Sequence, residues 1–352
     1  MNASLNSAEN TFLQIRGCTW ASFDPDKRAA IVDQAFNYWR AHGFPYYRLT
    51  QKQISQDFSR LKEKDWKSIF TDRGIRTSNA GLRLANAFQP AMWKAKVHRY
   101  RSPMEVFNDD QLLRKAIERA LKIWPDRYGA NASCLRRMLK TFSDTASVSN
   151  YRPMVAKAVI AKYSQEGPVV DFSAGYGGRL LGALALNRTY IGIEPNSSQV
   201  AGFQRMMKAI QRLEFSLPEV EIRNGVAENE LSSLRAKSAE LVFSSPPFFN
   251  WEHYSGSSSQ SFKRFPSYEL WRSNFLVPVI AESHRILKKH GHLALNVSNG
   301  KRLPSMTHVR EAAESIGFTF LAMHRMVFPK IPYLHPRNGE AVKTELLLVF
   351  RK

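Results

Sequence analysis

The fold of this chain can be inferred from one short stretch, VVDFSAGYGGRL, which runs from Val169 to Leu180. Its apolar residues predict a buried strand that ends at Asp171, and a helix is expected after the glycines. Gly175, Gly177 and Gly178 lie in the connecting loop. Glycine tolerates a positive φ and lets a ligand approach the backbone, so a ligand can bind across this turn at the helix N-terminus. One glycine-rich turn is a weak indication by itself, because dinucleotide dehydrogenases use one too.

A second β-rich run, RTYIGIEP, follows the glycine loop and brings Glu194 to its end. A carboxylate at this place in a doubly wound sheet can accept hydrogen bonds from both hydroxyls of a ribose. The alternative is an ordinary surface acid, but the position directly after a strand favours the ribose function. A third run, VEIRNG, ends near Asn224 and Gly225, which we expect at the same edge of the sheet.

Short β-rich runs alternate with helical segments from about Ser147 to the C-terminus. The runs are GPVVDFS, RTYIGIEP, VEIRNG, AELVFSS, GHLALNVS and TELLLVFRK. Segments with helical spacing, such as GGRLLGALAL and SSQVAGFQRMMKAIQRL, lie between several of them. This alternation predicts an α/β domain over residues 147–352, in which crossover helices connect the strands of a mostly parallel, Rossmann-like sheet.

The motif FSSPPFFNWEHYSG, from Phe243 to Gly256, follows the fourth of these runs. Proline has no backbone donor, so the strand is expected to stop at Ser244 or Ser245. Two phenylalanines come directly after the two prolines. Loops at the carboxyl ends of buried parallel strands gather around one crevice and often carry chemistry. We therefore expect this loop to face the glycine loop and Glu194.

The order of glycine loop, Glu194 and SPPF makes this chain resemble the class I S-adenosylmethionine-dependent methyltransferases. More narrowly, it resembles the amino-methyltransferases of nucleic acids, which carry Asp, Asn or Ser, then two prolines, then an aromatic residue. The resemblance covers residues 150–352 and does not include the N-terminal part. It implies that the catalytic residues are Ser245, Pro246, Pro247 and Phe248.

The same resemblance implies S-adenosylmethionine as the cofactor. The segment SNYRP, which ends at Pro153, lies where such enzymes often close over the methionine end of the cofactor. The cofactor-binding residues that the resemblance implies are Tyr151, Pro153, Asp171, Ser173, Ala174, Gly175, Gly177, Gly178, Glu194, Pro195, Asn224 and Ser244.

The proline loop of such enzymes presents hydrogen-bond acceptors to an exocyclic amine, whose lone pair is delocalised into the base. The resemblance assigns these acceptors to Ser245 Oγ and the Pro246 carbonyl, and Phe248 to stacking on the extruded base. The sulfonium already carries an activated methyl group, so the reaction requires neither a metal nor a covalent nucleophile. Cys18 and Cys134 do not precede proline, as the thiolate does in enzymes that methylate a ring carbon of cytosine.

The target base and the polymer remain open at this point. A serine before the prolines is commoner in the cytosine N4 type than in the adenine N6 type. Val226 lies where adenine enzymes usually have an acidic residue. We expect a DNA methyltransferase that acts on the exocyclic amine of cytosine or adenine. The alternatives are an RNA base methyltransferase and an inactive nucleic-acid-binding protein on the same scaffold.

The chain is strongly basic, with 51 Lys and Arg against 30 Asp and Glu and a net charge of +21. Such an excess indicates a polyanionic partner, and we expect nucleic acid rather than a membrane surface. Residues 1–146 are predicted to form a basic, mainly helical region that could recognise the target. Leu113, Ile117 and Leu121 have helical spacing there, and Asp109 can cap the helix.

Aromatic and basic residues interleave in this region, as in MWKAKVHRYR, which suits a phosphate backbone and splayed bases. A helical domain with an aromatic core explains the same pattern. After the catalytic loop, Gln260, Lys263 and Arg264 are predicted to contact nucleic acid, and a mobile polar loop is the alternative.

The two cysteines exclude a disulfide framework and a thiolate zinc site. The first residues lack the basic and then apolar layout of a secretory signal, and no apolar run approaches the roughly 20 residues that span a bilayer. We expect a soluble protein of the cytoplasm.

Overall fold

The computed structural model describes residues 15, 17–123, 130–141, 144–213, 215–298, 305–327 and 345–352. The described residues of 1–48 and 92–148 form one compact unit, called unit 1, and those of 49–91 and 149–352 form unit 2. The sequence predicts a single domain boundary between residues 146 and 147. In the structure, residues 49–91 instead belong to the same compact unit as the C-terminal sheet. The prediction about a secretory signal concerns residues that lie mostly outside the described ones.

The helices and strands of the described residues are numbered in chain order. The helices are α1 (Gly17–Ser22), α2 (Pro25–His42), α3 (Gln51–Glu63), α4 (Leu82–Ala87), α5 (Pro103–Asn108), α6 (Asp110–Ile123), α7 (Ala132–Thr141), α8 (Pro153–Tyr163), α9 (Gly178–Leu184), α10 (Ser197–Gln211), α11 (Ala227–Glu230), α12 (Ser261–Arg264), α13 (Tyr268–Trp271), α14 (Val277–Ile286) and α15 (Met306–Ile316). The strands are β1 (Phe70–Thr71), β2 (Gly74–Arg76), β3 (Lys96–Val97), β4 (Val169–Asp171), β5 (Tyr190–Ile193), β6 (Val220–Arg223), β7 (Ala239–Ser244), β8 (Glu252–His253), β9 (Leu287–Ser298), β10 (Thr319–Val327) and β11 (Glu345–Arg351).

Unit 1 is mainly helical, and its helices α6 and α7 are amphipathic. Leu113, Ile117 and Leu121 of α6 are fully buried, as their spacing predicts. Asp109 Oδ1 accepts a hydrogen bond from Leu112 N at 3.0 Å and so caps the start of this helix. Trp93 is 1% exposed, which agrees with the aromatic-core interpretation for this residue.

Unit 2 is built on a nine-stranded sheet in the order β1-β2-β10-β11-β9-β7-β4-β5-β6. The strands β6, β5, β4, β7 and β9 are parallel neighbours, and β11 is antiparallel to both β9 and β10. Helices connect these parallel strands in a Rossmann-like arrangement, so the predicted α/β fold class with a mostly parallel sheet is confirmed. The strand β2 pairs in parallel with β10, at Ile75 and Met326, which explains why residues 49–91 belong to this unit.

Both faces of the sheet are covered, and neighbouring residues of one strand lie in different cores. Leu241 and Phe243 of β7 pack in a hydrophobic cluster that includes α8 and α9 residues. Val242 packs in a second cluster with α14 and α15 residues. A strand buried on both faces reads as a continuous apolar run, which is why AELVFS could be identified as a strand. Within the described residues, no helix is long and apolar enough to cross a bilayer.

Candidate functional site

The glycine loop connects β4 to α9 at the carboxyl edge of the sheet. Ala174 N donates to Ile193 O at 2.9 Å, and Gly177 N donates to Ala174 O at 3.2 Å, which closes the turn. Gly175 and Gly177 have φ values of 61° and 81°, in the left-handed region that favours glycine. A Cβ on Gly175 would meet nothing closer than Ser173 O at 3.7 Å. A ligand can therefore approach the backbone closely at Gly175.

Glycine is required at position 178 for a different reason, because the backbone of the segment before α8 lies directly against it. A Cβ there would clash with the Tyr151 carbonyl oxygen. Asn150 fixes this approach: its Oδ1 accepts from Gly178 N at 3.0 Å, and its Nδ2 donates to Tyr176 O at 2.9 Å. Asn150 is 5% exposed. Asn150 was not predicted from the sequence, although it lies in SNYRP beside the predicted residues Tyr151 and Pro153. Its hydrogen bonds to the glycine loop depend on packing between distant segments, which the sequence does not show.

Asp171 lies fully buried at the end of β4, and four donors surround its carboxylate. Tyr190 OH and Ser244 Oγ donate to it at 2.7 and 2.8 Å, and Ser173 N donates at 3.3 Å. Arg179 Nε donates at 2.6 Å in a buried ion pair. Burial lowers the pKa of Arg179, but the contact with Asp171 outweighs burial and the net shift is upward. This network ties the glycine loop to the end of β7, so Asp171 contributes to the site by positioning it.

Glu194 follows β5 and is only 6% exposed, which excludes an ordinary surface acid. Gly175 N and Asn196 N each donate to its carboxylate at 2.9 Å. The Gln199 amide, turned with its nitrogen toward this carboxylate, donates to Oε1 at 2.6 Å. Burial raises the pKa of Glu194 to about 8, although the backbone hydrogen bonds oppose the shift. A ligand that brings hydroxyl donors would stabilise the ionised form.

Asn224 follows β6 and connects the ends of two strands. Its Nδ2 donates to Glu194 O at 2.9 Å, and its Oδ1 accepts from Ser197 Oγ at 2.9 Å. Asn224 is exposed and Pro195 is half-buried beside it. Two predicted cofactor residues therefore flank Glu194 at the same edge of the sheet.

Tyr151 and Pro153 lie on the segment that approaches the glycine loop. Pro153 is buried in the first turn of α8. The Tyr151 ring meets the Phe243 ring edge-on, with centroids 5.4 Å apart, and Arg179 Cζ lies 5.2 Å from the same ring. The Tyr151 hydroxyl is buried without a hydrogen-bond partner among the described residues. Burial raises the pKa of Tyr151, so this hydroxyl remains a protonated donor.

The strand β7 ends at Ser244, directly before the SPP motif, as its prolines predict. Ser245 Oγ donates to the Asn296 carbonyl of β9 at 3.4 Å, a long hydrogen bond that leaves its lone pairs available. Pro246 is buried, and among the described residues no hydrogen bond reaches its carbonyl. Two acceptors therefore lie on adjacent residues at the end of β7, and neither accepts a hydrogen bond from the part of the chain that the structure describes.

The aromatic residues of this loop differ in their surroundings. Phe248 and Phe249 are 7% and 9% exposed. Phe249 has a φ of 38°, its N donates to Pro247 O at 2.8 Å, and its ring packs on Trp271 with centroids 6.0 Å apart. Phe249 therefore belongs to the core. Phe248 is the ring that the sequence predicts to stack on a base, and stacking would require this buried ring to become accessible.

The segment after the proline loop is held by its own side chains. Gln260 is buried: its Oε1 accepts from Tyr254 N at 2.8 Å and its Nε2 donates to Ser255 O at 2.5 Å. Arg264 forms an ion pair with Glu228 at 2.5 Å. Lys263 is exposed, and its Nζ donates to a loop carbonyl at 2.7 Å. Of the three residues predicted to contact nucleic acid, Lys263 alone is exposed. Gln260 and Arg264 would have to break their present hydrogen bonds and ion pair before they could contact nucleic acid.

Within the described residues, no group of three or more His, Cys, Asp or Glu residues could hold a metal ion. The polar groups of the site are instead hydroxyls, carbonyls and buried carboxylates, which suit an organic ligand.

No protein-family model matches this chain, and no curated protein matches its sequence. Among solved structures, it is similar to a precorrin-6y C5,15-methyltransferase from Geobacter metallireducens at 16% identity, over 56% of this chain and 88% of that one, with a TM-score of 0.37. It is similar to a 1,6-didemethyltoxoflavin-N1-methyltransferase from Burkholderia thailandensis at 14% identity, over 56% and 76% of the two chains, with a TM-score of 0.37. A candidate DNA modification methylase from Thermus thermophilus is 24% identical over 36% of this chain and 50% of that one, with a TM-score of 0.26. None of these similarities identifies a substrate for this chain.

Proposed function

We propose that this protein is an S-adenosylmethionine-dependent methyltransferase that methylates an exocyclic amino group of a nucleobase, with DNA as the favoured polymer and cytosine N4 or adenine N6 as the target atom. The proposal depends above all on the two adjacent acceptors, Ser245 Oγ and the Pro246 carbonyl, to which no other described residue donates a hydrogen bond. They lie at the end of β7, and the glycine loop and Glu194 follow neighbouring strands of the same sheet.

The cofactor half of the site fits a nucleoside that carries an amino-acid tail. Glu194 would accept the ribose hydroxyls, because it is a buried carboxylate at the end of the second strand. The open backbone at Gly175 would let the ligand lie across the turn, and the unpartnered Tyr151 hydroxyl would donate to it. The cofactor, when bound, supplies a methyl group already activated on sulfur.

The acceptor half addresses the weak nucleophilicity of the target. The lone pair of an exocyclic amine is delocalised into the base, so the nitrogen must become pyramidal before it can attack. Ser245 Oγ and the Pro246 carbonyl would each accept one N–H hydrogen, which favours the pyramidal form and points the lone pair at the methyl carbon. The N–C bond forms as the C–S bond breaks, and the nitrogen then releases one proton.

The prolines and the hydrogen bond of Ser245 prepare these acceptors before the base arrives. Pro246 and Pro247 restrict the backbone, so the carbonyl loses little freedom on binding. Ser245 uses its own proton toward Asn296 O, which leaves Oγ as an acceptor for the amine. Phe248 would stack on the extruded base and offset part of the few kcal/mol that unstacking costs.

The net charge of +21 supports a nucleic-acid substrate over a small molecule. RNA makes similar demands on the loop, so an RNA base methyltransferase is an alternative that the substrate assay separates. An inactive nucleic-acid-binding protein on this scaffold would not need Glu194, the glycine loop and SPPF together, and calorimetry with S-adenosylmethionine separates it from both.

The experiment is transfer of a labelled methyl group from S-adenosylmethionine to unmethylated DNA and, in parallel, to total RNA. We expect label in DNA from the wild-type protein and at least a hundredfold less from Ser245→Ala. Label in RNA alone would move the assignment to the RNA alternative. Calorimetric binding of the cofactor without label in either polymer would contradict the proposal.

A further inference from the structure

The helix α7 of unit 1 carries two cations on one face, and no carboxylate of the described residues lies within ion-pair distance of either. Arg136 and Lys140 are four residues apart, so their side chains lie side by side, and both are half-buried. Arg136 Nη1 donates to Pro45 O at 2.9 Å, and its Cζ lies 3.9 Å from the Tyr47 ring centroid. Lys140 Nζ lies 4.5 Å from the Trp93 ring centroid. Like charges at this spacing repel each other.

Some of the other basic residues of unit 1 are neutralised by a carboxylate, unlike this half-buried pair. Four of them form ion pairs with an acidic residue, namely Arg40 with Asp110, Lys96 with Glu105, Arg101 with Asp109 and Arg114 with Asp33. Within the described residues, neither Arg136 nor Lys140 lies within ion-pair distance of a carboxylate. The pair is therefore an uncompensated double positive charge in a half-buried place.

Lys157 of unit 2 shows how the chain satisfies a buried ammonium elsewhere. Its Nζ donates to the carbonyls of Leu61, Lys62 and Lys64 at 2.9, 2.6 and 2.7 Å. Lys140 has no such acceptor among the described residues. Burial, together with the neighbouring Arg136, lowers the pKa of Lys140 to about 8. The ring of Trp93 stabilises the ammonium only in part.

Trp93 adds a second unsatisfied donor at the same place. Its Nε1 is buried without a hydrogen-bond partner among the described residues. The arrangement therefore combines donors and positive charge, and the acceptor that the described residues supply is the Pro45 carbonyl, which takes a single hydrogen bond from Arg136. An oxyanion would pair with the ammonium and the guanidinium, and to reach the indole N–H as well would require this buried group to become accessible.

We propose that Lys140, Arg136 and Trp93 form a binding site for a phosphate of the nucleic-acid backbone. The inference extends the proposed function, since it names a contact between unit 1 and the same class of substrate. A phosphodiester matches the donors in charge, and nucleic acid is the partner that the net charge of the whole chain favours. Single-stranded DNA, duplex DNA and RNA share this group.

The test measures nucleic-acid binding as a function of salt for the full chain, without cofactor or turnover. The probes are a single-stranded oligodeoxynucleotide, its duplex and an RNA of the same sequence. Lys140→Met keeps the apolar stem on Trp93 and removes the charge, and Lys115→Met removes an exposed lysine of α6 as the matched control. Loss of one phosphate contact reduces the slope of log K against log salt by about 0.7–0.9.

We expect Lys140→Met to lose this much slope on at least one probe, and Lys115→Met to lose less than half as much. The factor by which affinity falls between 50 and 200 mM salt would then be about threefold smaller for Lys140→Met than for wild type. Equal slopes for wild type and Lys140→Met on all three probes would overturn the inference.

A second measurement does not depend on a variant. NMR of the labelled lysine amines should show the pKa of Lys140 rising from about 8 when the oligonucleotide is added. An unchanged pKa at saturation would overturn the inference. Salt-dependent binding through Lys140 by a protein that transfers no methyl group would refute the proposed function alone, and methyl transfer without any effect at Lys140 would refute only this site.

Discussion

The Asp171 network beside the glycine loop and the acceptors of the proline loop differ in how completely the protein satisfies them, although the Tyr151 and Tyr176 hydroxyls near the glycine loop also have no partner among the described residues. On the glycine-loop side, Asp171 has four donors and Arg179 is paired, so little can move. On the proline-loop side, Ser245 makes one long hydrogen bond, and the Pro246 carbonyl makes none among the described residues. The first half is a fixed frame, whereas the second half has hydrogen-bonding capacity left for a substrate.

This difference matches the chemistry that we propose. A cofactor must be held in one orientation in every cycle, which a rigid frame provides. An amine needs acceptors that compete with no internal donor, because each hydrogen bond already made would have to be broken first. Substitutions in the frame should therefore affect folding, and substitutions in the proline loop should affect turnover.

The largest expected effect is on stability, at Arg179. Arg179→Met leaves the buried Asp171 carboxylate without its ion pair and should lower the free energy of unfolding by about 3–5 kcal/mol. Arg310→Met breaks an exposed pair with Glu314 and should change it by no more than about 0.5 kcal/mol. Urea unfolding followed by circular dichroism measures both. Similar values for the two variants would mean that the buried network does not act as a frame.

The next effect is on turnover, at Ser245. Ser245→Ala removes one acceptor for the amine and should lower kcat on the order of a hundredfold. The dissociation constant of S-adenosylmethionine should stay within about twofold, because Ser245 has no part in the frame. Ser257→Ala, in an exposed loop, is the control and should match wild type. A parallel loss of turnover and cofactor affinity in Ser245→Ala would place this residue in the frame instead.

A smaller effect concerns pH, through Glu194. Ribose hydroxyls donate to the ionised carboxylate, so cofactor binding expels a proton below the pKa of about 8. Affinity should rise about tenfold per pH unit from pH 6 toward pH 8 and level off above it. The stability of the free protein should depend on pH in the opposite direction. Because the pKa of Glu194 lies above the ordinary 4.5, its contribution to the free energy of unfolding is present at low pH and is lost as pH rises through about 8. Calorimetry of Glu194→Gln should give a flat affinity profile, and a slope equal to that of wild type would remove Glu194 from the ribose contact.

The smallest expected effect concerns nucleic-acid binding at Lys263. Lys263→Ala should flatten the slope of log K against log salt by about 0.9 on duplex DNA if one phosphate contact is lost. Lys288 is also exposed, but it lies near the start of β9, at the amino ends of the parallel strands and away from the proline loop at their carboxyl ends. Lys288→Ala is therefore the control. Filter binding between 50 and 200 mM salt compares the two. Equal slopes would exclude Lys263 from the interface.

The central strands of the sheet were predictable because they are buried on both faces. The runs that became the central strands β4, β5, β7, β9 and β11 were identified from apolar, β-branched sequence, and the half-buried edge strand β6 was identified from VEIRNG. The strand β10 was missed, because its side chains alternate between exposed and half-buried, and it includes Met323, His324 and Arg325. The pairing of β2 with β10 was missed as well, since a three-residue strand has no periodicity to read.

The positions of the site residues were predictable where they depend only on which strand each residue ends or follows. Asp171, Glu194 and Asn224 follow parallel neighbours, so their convergence at one edge required only the order of strands. Burial could not be read in this way. The high pKa of Glu194, the pairing of Asp171 with Arg179 and the bridge made by Asn150 all depend on contacts between distant segments.

The most direct test of the account is to identify the methylated atom by nucleoside mass spectrometry of the labelled polymer. The account predicts N4-methylcytosine or N6-methyladenine, and loss of the label when the target amine is replaced by a carbonyl, as in uracil or hypoxanthine. A methyl group on a ring carbon or on a ribose oxygen would contradict it, because neither atom presents two hydrogens to Ser245 and Pro246.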